Sequence, residues 1–125
     1  MTQSLFFREQ RGDSWASPKH ILDRYENWLD PCKLNSKENG LDMKWFGNVY
    51  VNPPYSDIAT WIQKAVFEYP NCNKIHMLLP AWTDRKWFHD YILNKYEIEF
   101  IKGKLKFGGQ KNSARWGSMI VKIKP

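Results

Sequence analysis

The run Gly47-Asn48-Val49-Tyr50-Val51-Asn52-Pro53-Pro54-Tyr55-Ser56 constrains this chain more than any other stretch. Alternating residues of high strand propensity lead into two prolines, and an amphipathic helix pattern follows. Each proline lacks the amide proton that a sheet ladder needs and holds φ near about −65°. The strand must therefore stop at Asn52, and the chain must turn out of the sheet. That turn presents the Asn52 side chain, two rigid carbonyls and the Tyr55 ring at the sheet's rim. In open α/β sheets, ligands bind at the rim formed by the carboxyl ends of the strands.

These residue types suit a planar amine. The lone pair of an exocyclic amino group on a base is delocalised into the ring, so the nitrogen is a poor nucleophile. The Asn52 oxygen and a carbonyl of the Pro53-Pro54 segment can both accept hydrogen bonds from it. They would favour the pyramidal form and stabilise the positive charge that develops on nitrogen. The Tyr55 ring offers a face on which an extruded base can stack. The plain alternative is a stiff Pro-Pro loop with a half-buried tyrosine as its cap. The stretch resembles motif IV of the amino-methyltransferases, Asp/Asn/Ser-Pro-Pro-Tyr/Phe, which alkylate nitrogen using S-adenosylmethionine.

A length of 125 residues fits one domain with a single core. Residues 1–14, with Leu5-Phe6-Phe7 among charged neighbours, read as an arm, an edge strand or a dimer contact, and residues 15–125 as the domain itself. The net charge of +6 suits a polyanionic partner and equally an ordinary basic protein. Cys32 and Cys72 make no Cys-x-x-Cys pair and the three histidines are scattered, so neither a metal site nor a disulfide scaffold is expected. No apolar run approaches membrane-spanning length and no signal-peptide pattern opens the chain, which points to a cytoplasmic protein.

Ser17 before Pro18 predicts a helix start, with Ile21, Leu22, Tyr25 and Trp28 on its apolar face. Asp30-Pro31 and Asn39-Gly40 are turn signals. After the central run, Ser56 or Asp57 can cap a helix with Ile58, Trp61, Ile62, Ala65, Val66 and Tyr69 in one stripe. Lys74–Leu79 reads as a buried parallel strand broken at Pro80, and His76 inside it as a core or edge histidine. Thr83 can cap a further helix carrying Trp87, Phe88, Tyr91 and Ile92. Trp82 either walls the base or cofactor pocket or packs on that helix. Strands are expected at Tyr96–Ile101, Leu105–Phe107 and Ser118–Ile123. Lys102, Lys104, Lys106, Lys111 and Arg115 form either a phosphate-binding face or the charged edge by which strands avoid aggregation.

From about Trp15 to Ile123 the chain resembles the phage-type DNA N6-adenine methyltransferases (Dam-like). Trp15-Ala16-Ser17-Pro18 is similar to the family's Trp-x-Thr-Pro, with Ser where Thr is commoner. The resemblance implies cofactor contacts from Trp15, Ser17 and Pro18, whereas the residues alone fit a staple beside a capped helix equally well. Asp30-Pro31-Cys32 before Asn35, then Gly40-Leu41 and Trp45, resembles the family's cofactor-binding first strand and loop. That implies an Asp30 carboxylate facing the positively charged parts of S-adenosylmethionine or a ribose hydroxyl, with Pro31 and Cys32 beside it and Asn52 also at the cofactor. Gly103-Lys104-Leu105-Lys106-Phe107 is similar to Gly-Arg-Leu-x-Phe, with Lys104 replacing Arg, and Ser118–Val121 to the closing strand.

The chain departs from larger methyltransferases in lacking a glycine-rich first motif. Residues 31–51, 21 in all, separate Asp30 from Asn52, too few for two complete βα units. The expected fold is therefore a truncated, compact Rossmann-like α/β methyltransferase fold: a mixed sheet, helices on both faces and a C-terminal β-hairpin. The expected function is S-adenosylmethionine-dependent methylation of the adenine N6 amine in DNA. Catalysis would rest on Asn52, Pro53, Pro54 and Tyr55, and DNA contacts on Tyr55, Trp82, Lys104, Lys106, Lys111 and Arg115. So small a domain raises a homodimer as the source of further reading surface. The same pincer suits cytosine N4, an RNA base or a protein glutamine, and a binding module that has lost catalysis also fits.

Overall fold

A computed structural model of the chain describes residues 16–33, 37–108 and 112–125. Strand β1 (Gly47–Val51) stops where the prolines require. It pairs in parallel with β2 (Cys72–Pro80), Val49 opposite Ile75 and Val51 opposite Met77. The last six residues of β2 are all buried, as expected of a central strand covered on both faces. Strand β4 (Ser118–Lys124) runs antiparallel to β2, and β3 (Glu97–Phe100) antiparallel to β4 at the edge. The order is β1-β2-β4-β3, a mixed four-stranded sheet in a mixed α/β fold.

Alternation along the strands divides the core in two. Val49, Val51, Ile75, Met77, Leu79, Met119, Val121 and Ile123 face one way. They pack on α2 (Ile58–Glu68), which buries Ile58, Trp61, Ile62 and Ala65. Val66 and Tyr69, expected on that stripe, are instead 44% and 39% exposed, while Glu68 is buried. The Glu68 carboxylate accepts from the Trp45 amide at 3.0 Å and pairs with Lys64, so a charge sits at the end of the helix where apolar packing was expected.

Tyr50, Leu78 and Ile120 face the other way, against Ile21, Tyr25, Leu105, Phe107 and Ala114. Here the expectation of helices on both faces needs correction. Helix α1 is a single turn (Lys19–Leu22) continued by a 3₁₀ turn at Asp23–Tyr25. Irregular chain from the β3–β4 connection covers the rest of this face. Leu105–Phe107 is not a strand: Leu105 and Phe107 press onto the sheet, and Ala114 donates its amide to the Leu105 carbonyl at 2.8 Å. The hairpin is therefore β3 with β4, joined by a long covering loop.

The helix expected after Thr83 forms instead a π-helical turn, Phe88–Ile92, closed by the Leu93 amide on the Phe88 carbonyl at 2.8 Å. The wider winding brings Phe88 and Ile92 into the core together. His76 is buried as expected, its Nδ1 2.9 Å from the Tyr25 hydroxyl. Cys32 and Cys72 are buried and not joined in a disulfide, and among the described residues no cluster of metal-ligating side chains forms and no helix is long and apolar enough to cross a membrane. Residues 1–14, Trp15, Asn35 and Lys111 lie outside the described residues.

Candidate active site

Leu29 adds a single parallel bridge to the outer side of β1. Its amide donates to the Asn48 carbonyl and its carbonyl accepts from the Tyr50 amide, each at 2.8 Å. Three parallel segments therefore deliver Asp30, Asn52 and Ala81 to one rim. Strand β4 enters at the same rim because it runs the opposite way. The Ala81 amide bonds the Gly117 carbonyl at 2.9 Å, which brings Trp116 there too.

Between the first two segments lies a cavity of about 230 Å³, lined by Ala16, Ser17, Leu22, Asp30, Cys32, Lys33 and Asn52. Leu22, expected in the core, is 41% exposed and walls this cavity. A larger hollow of about 480 Å³ at the far end of the sheet, between Tyr69, Tyr96 and Lys122, meets none of the rim residues. The smaller cavity is the one where polar groups converge.

Ser17 does not cap the helix. The residue preceding α1 is Pro18 in extended conformation, and no side-chain cap forms. The buried Ser17 hydroxyl lies 2.7 Å from the Tyr50 hydroxyl and accepts from Asn52 Nδ2 at 3.0 Å. Strand alternation explains the convergence: Tyr50 and Asn52 are two residues apart and point to the same face. Asp30 Oδ1 is buried without a hydrogen-bond partner among the described residues. Burial pushes its carboxyl up to about 6, against the pull of the Cys32 amide and Lys33. An orphaned, desolvated acceptor in a cavity is the group that a hydroxyl- or ammonium-bearing ligand would satisfy.

The turn signal at Gly40 supports that loop from beneath. A Cβ on Gly40 would lie 1.9 Å from the Pro31 carbonyl oxygen, and Trp45 Nε1 donates to the Gly40 carbonyl at 2.9 Å. Gly40→Ala should therefore displace Asp30-Pro31-Cys32 and destabilise the fold by about 3 kcal/mol or more. Thermal unfolding reads this directly, and an unchanged melting temperature would contradict the packing.

Tyr55 stands apart from the cavity wall. It opens a 3₁₀ turn, Tyr55–Asp57, in which the Asp57 amide takes the Pro54 carbonyl at 3.1 Å. The Pro54 carbonyl is thus engaged in the turn. The Tyr55 ring meets Trp82, Trp116 and Phe107 edge-on, with centroids 5.4, 5.5 and 6.3 Å away. Burial raises its phenol to about 12. Trp82 does not line the cavity; it packs edge-on against Tyr55 and Trp116 at the rim, with the Arg85 guanidinium 4.1 Å above its ring.

The family described as DNA N-6-adenine-methyltransferase (Dam) matches residues 6–125. The chain belongs to that family. Among its Dam relatives, a DNA N-6-adenine-methyltransferase of Escherichia phage T1 is 31% identical over 110 residues, 74% of this chain and 46% of the relative. Another from Haemophilus phage HP1 (strain HP1c1) is 32% identical over 107 residues, 71% of this chain and 62% of the relative. The chain thus spans about half to three-fifths of the length of these two Dam proteins. No solved structure is a significant match.

In this Dam-family chain, Ser17, Asp30, Cys32 and Asn52 line one cavity, while Pro18 and Pro31 are not among its lining residues. Lys102, Lys104, Lys106 and Arg115 are exposed, and no ion pair among the described residues engages them. Two residues of the site escaped the sequence reading. Tyr50 was visible as the same-face neighbour of Asn52. Trp116 had no local signal, because the antiparallel return of β4 is what carries it to the rim.

Proposed function

We propose that this chain methylates the N6 amine of adenine in DNA, taking the methyl group from S-adenosylmethionine on a shortened Rossmann-like methyltransferase fold. The observation that carries the reading is the convergence of Asn52 and the Asp30 carboxylate, its Oδ1 buried without a partner among the described residues, on one cavity at the carboxyl rim of parallel segments. The names of the phage relatives supply the acceptor.

S-adenosylmethionine, when bound, supplies an electrophilic methyl group on a sulfonium. Asp30 would hold it by accepting from a ribose hydroxyl or the ammonium, with Ser17 and Cys32 lining the same pocket. Asn52 Oδ1 and the Pro53 carbonyl accept the amine protons of the target base, which raises its nucleophilicity and spreads the developing charge. Tyr55, backed by Trp82 and Trp116, is the stacking surface for the extruded base. Its phenol stays neutral, so it contributes a ring face and no base. Lys104, Lys106, Lys111 and Arg115 would meet the phosphates.

The deciding experiment incubates the protein with methyl-labelled cofactor and duplex DNA, single-stranded DNA or RNA, then identifies the modified nucleoside. Label in N6-methyladenine from DNA is expected. Label only in N4-methylcytosine, RNA or a protein glutamine would replace this acceptor with another, and no label anywhere would favour a module without catalysis. A companion measurement concerns the cations. The triple replacement Lys104→Ala, Lys106→Ala and Arg115→Ala should weaken DNA binding for all sequences alike. The slope of log affinity against log salt should fall by about 1 for each lost contact. An unchanged slope would remove these residues from the interface.

A further inference from the structure

Tyr50 has no assigned part in this site, yet it touches the residue that touches Asn52. Ser17 accepts from Asn52 Nδ2 at 3.0 Å and lies 2.7 Å from the Tyr50 hydroxyl. A serine hydroxyl carries one proton. If that proton is spent on Tyr50, Ser17 can only accept from Asn52, and the amide is held with nitrogen toward Ser17 and oxygen turned away. If it were available, Ser17 could equally donate to the amide oxygen, and the flipped amide would present NH₂ to an amine that needs acceptors.

We propose that Tyr50 is a positioning residue: by taking the proton of Ser17 it fixes which end of the Asn52 amide faces the substrate amine. Strand alternation puts Tyr50 and Asn52 on one face. The Tyr50 ring is itself fixed, 2% exposed and stacked on Tyr25 with centroids 4.5 Å apart and planes 17° off parallel. Tyr25 is anchored in turn by His76 Nδ1 at 2.9 Å. A rigid ring delivering a hydroxyl to a buried serine is an arrangement suited to setting polarity. It also accounts for Ser17 forgoing the helix cap that its place before Pro18 would favour.

The inference deepens the methyl-transfer reading and rests on it for its kinetic arm. Tyr50→Phe keeps the stacked ring and removes only the hydroxyl. It should lower kcat about tenfold, the scale of one neutral hydrogen bond, with the dissociation constant for S-adenosylmethionine unchanged. Ser17→Ala should lower kcat similarly, the pair together no further than Ser17→Ala alone, and Ser17→Thr should restore it. A second, activity-free readout is the Asn52 side-chain NH₂ signal in NMR. It should be shifted and slow to exchange in the unaltered protein and lose both properties in Tyr50→Phe. A wild-type kcat in Tyr50→Phe, additive losses, or an Asn52 signal indifferent to that change would each overturn the proposal. If the unaltered protein methylates nothing while the NMR signature behaves as stated, the functional reading falls and the orienting relay stands.

Discussion

Asn52→Ala should lower methyl transfer to adenine by about a hundred- to a thousandfold while the fold survives. The magnitude is that of removing one preorganised polar group from a site where charge develops. The fold should survive because Asn52 lies beyond the last paired residue of β1 and is only partly buried. The assay is single-turnover transfer of labelled methyl to duplex DNA, with circular dichroism and thermal melting beside it. A variant that still turns over within tenfold of the parent would remove Asn52 from the chemistry. One that fails to melt cooperatively would reassign it to structure.

Asp30→Asn has the second large effect, and it splits stability from binding. Above pH 6 the carboxylate is ionised in a desolvated place that the Cys32 amide and Lys33 offset only in part, which costs the folded protein about 3 kcal/mol. The sign follows from the raised value. Below the ordinary 3.8 both folded and unfolded forms hold the proton and nothing is lost. As pH rises from there to about 6, the unfolded form has released it and the folded form has not, so stability falls. The asparagine variant should therefore melt several degrees higher at pH 7. It should also lose roughly ten- to a hundredfold in affinity for S-adenosylmethionine, the cost of exchanging a charged acceptor for a neutral one. Affinity in the parent should weaken as pH drops through about 6.

His76 works in the opposite sense over the same range. Burial, helped by Lys122, lowers it from 6.5 to about 4, so its contribution is intact above 6.5 and is lost as pH falls toward 4. The two slopes offset each other in the parent, and Asp30→Asn should unmask a stability that rises with pH between about 4 and 6.5. Melting curves across that interval test both assignments. A flat profile in the variant would refute the account of His76, and a variant no more stable at pH 7 would refute that of Asp30.

The elements legible in the sequence were those whose signal is local. The two prolines fix the end of β1, the apolar run before Pro80 fixes β2, and the Ile58–Ala65 spacing fixes α2. What was not legible depended on partners distant in sequence. Ser17 before Pro18 carries every local mark of a cap, but Tyr50 and Asn52, more than thirty residues on, compete for the same hydroxyl and win. Leu105–Phe107 alternates like a strand, yet its apolar residues face the sheet from outside it. The Phe88–Ile92 segment keeps a helical spacing that only the core contacts of Phe88 and Ile92 convert to π winding. At the site, the motif gave Asn52 and Tyr55, while the proton bookkeeping around Asn52 needed the fold.

The lone bridge at Leu29 sets a length scale. Asp30 follows the residue paired with Val49, whereas Asn52 lies three positions beyond Val49, so the two side chains are staggered by two residues along the strands and one strand apart across them. At about 3.3 Å per residue and 4.8 Å per strand, their Cα atoms are roughly 8 Å apart. Sliding Leu29 by a single position would change that span by about 3.3 Å and swing the carboxylate to the opposite face of the sheet. Two backbone hydrogen bonds thus act as the caliper between the Asp30 carboxylate and the Asn52 amide.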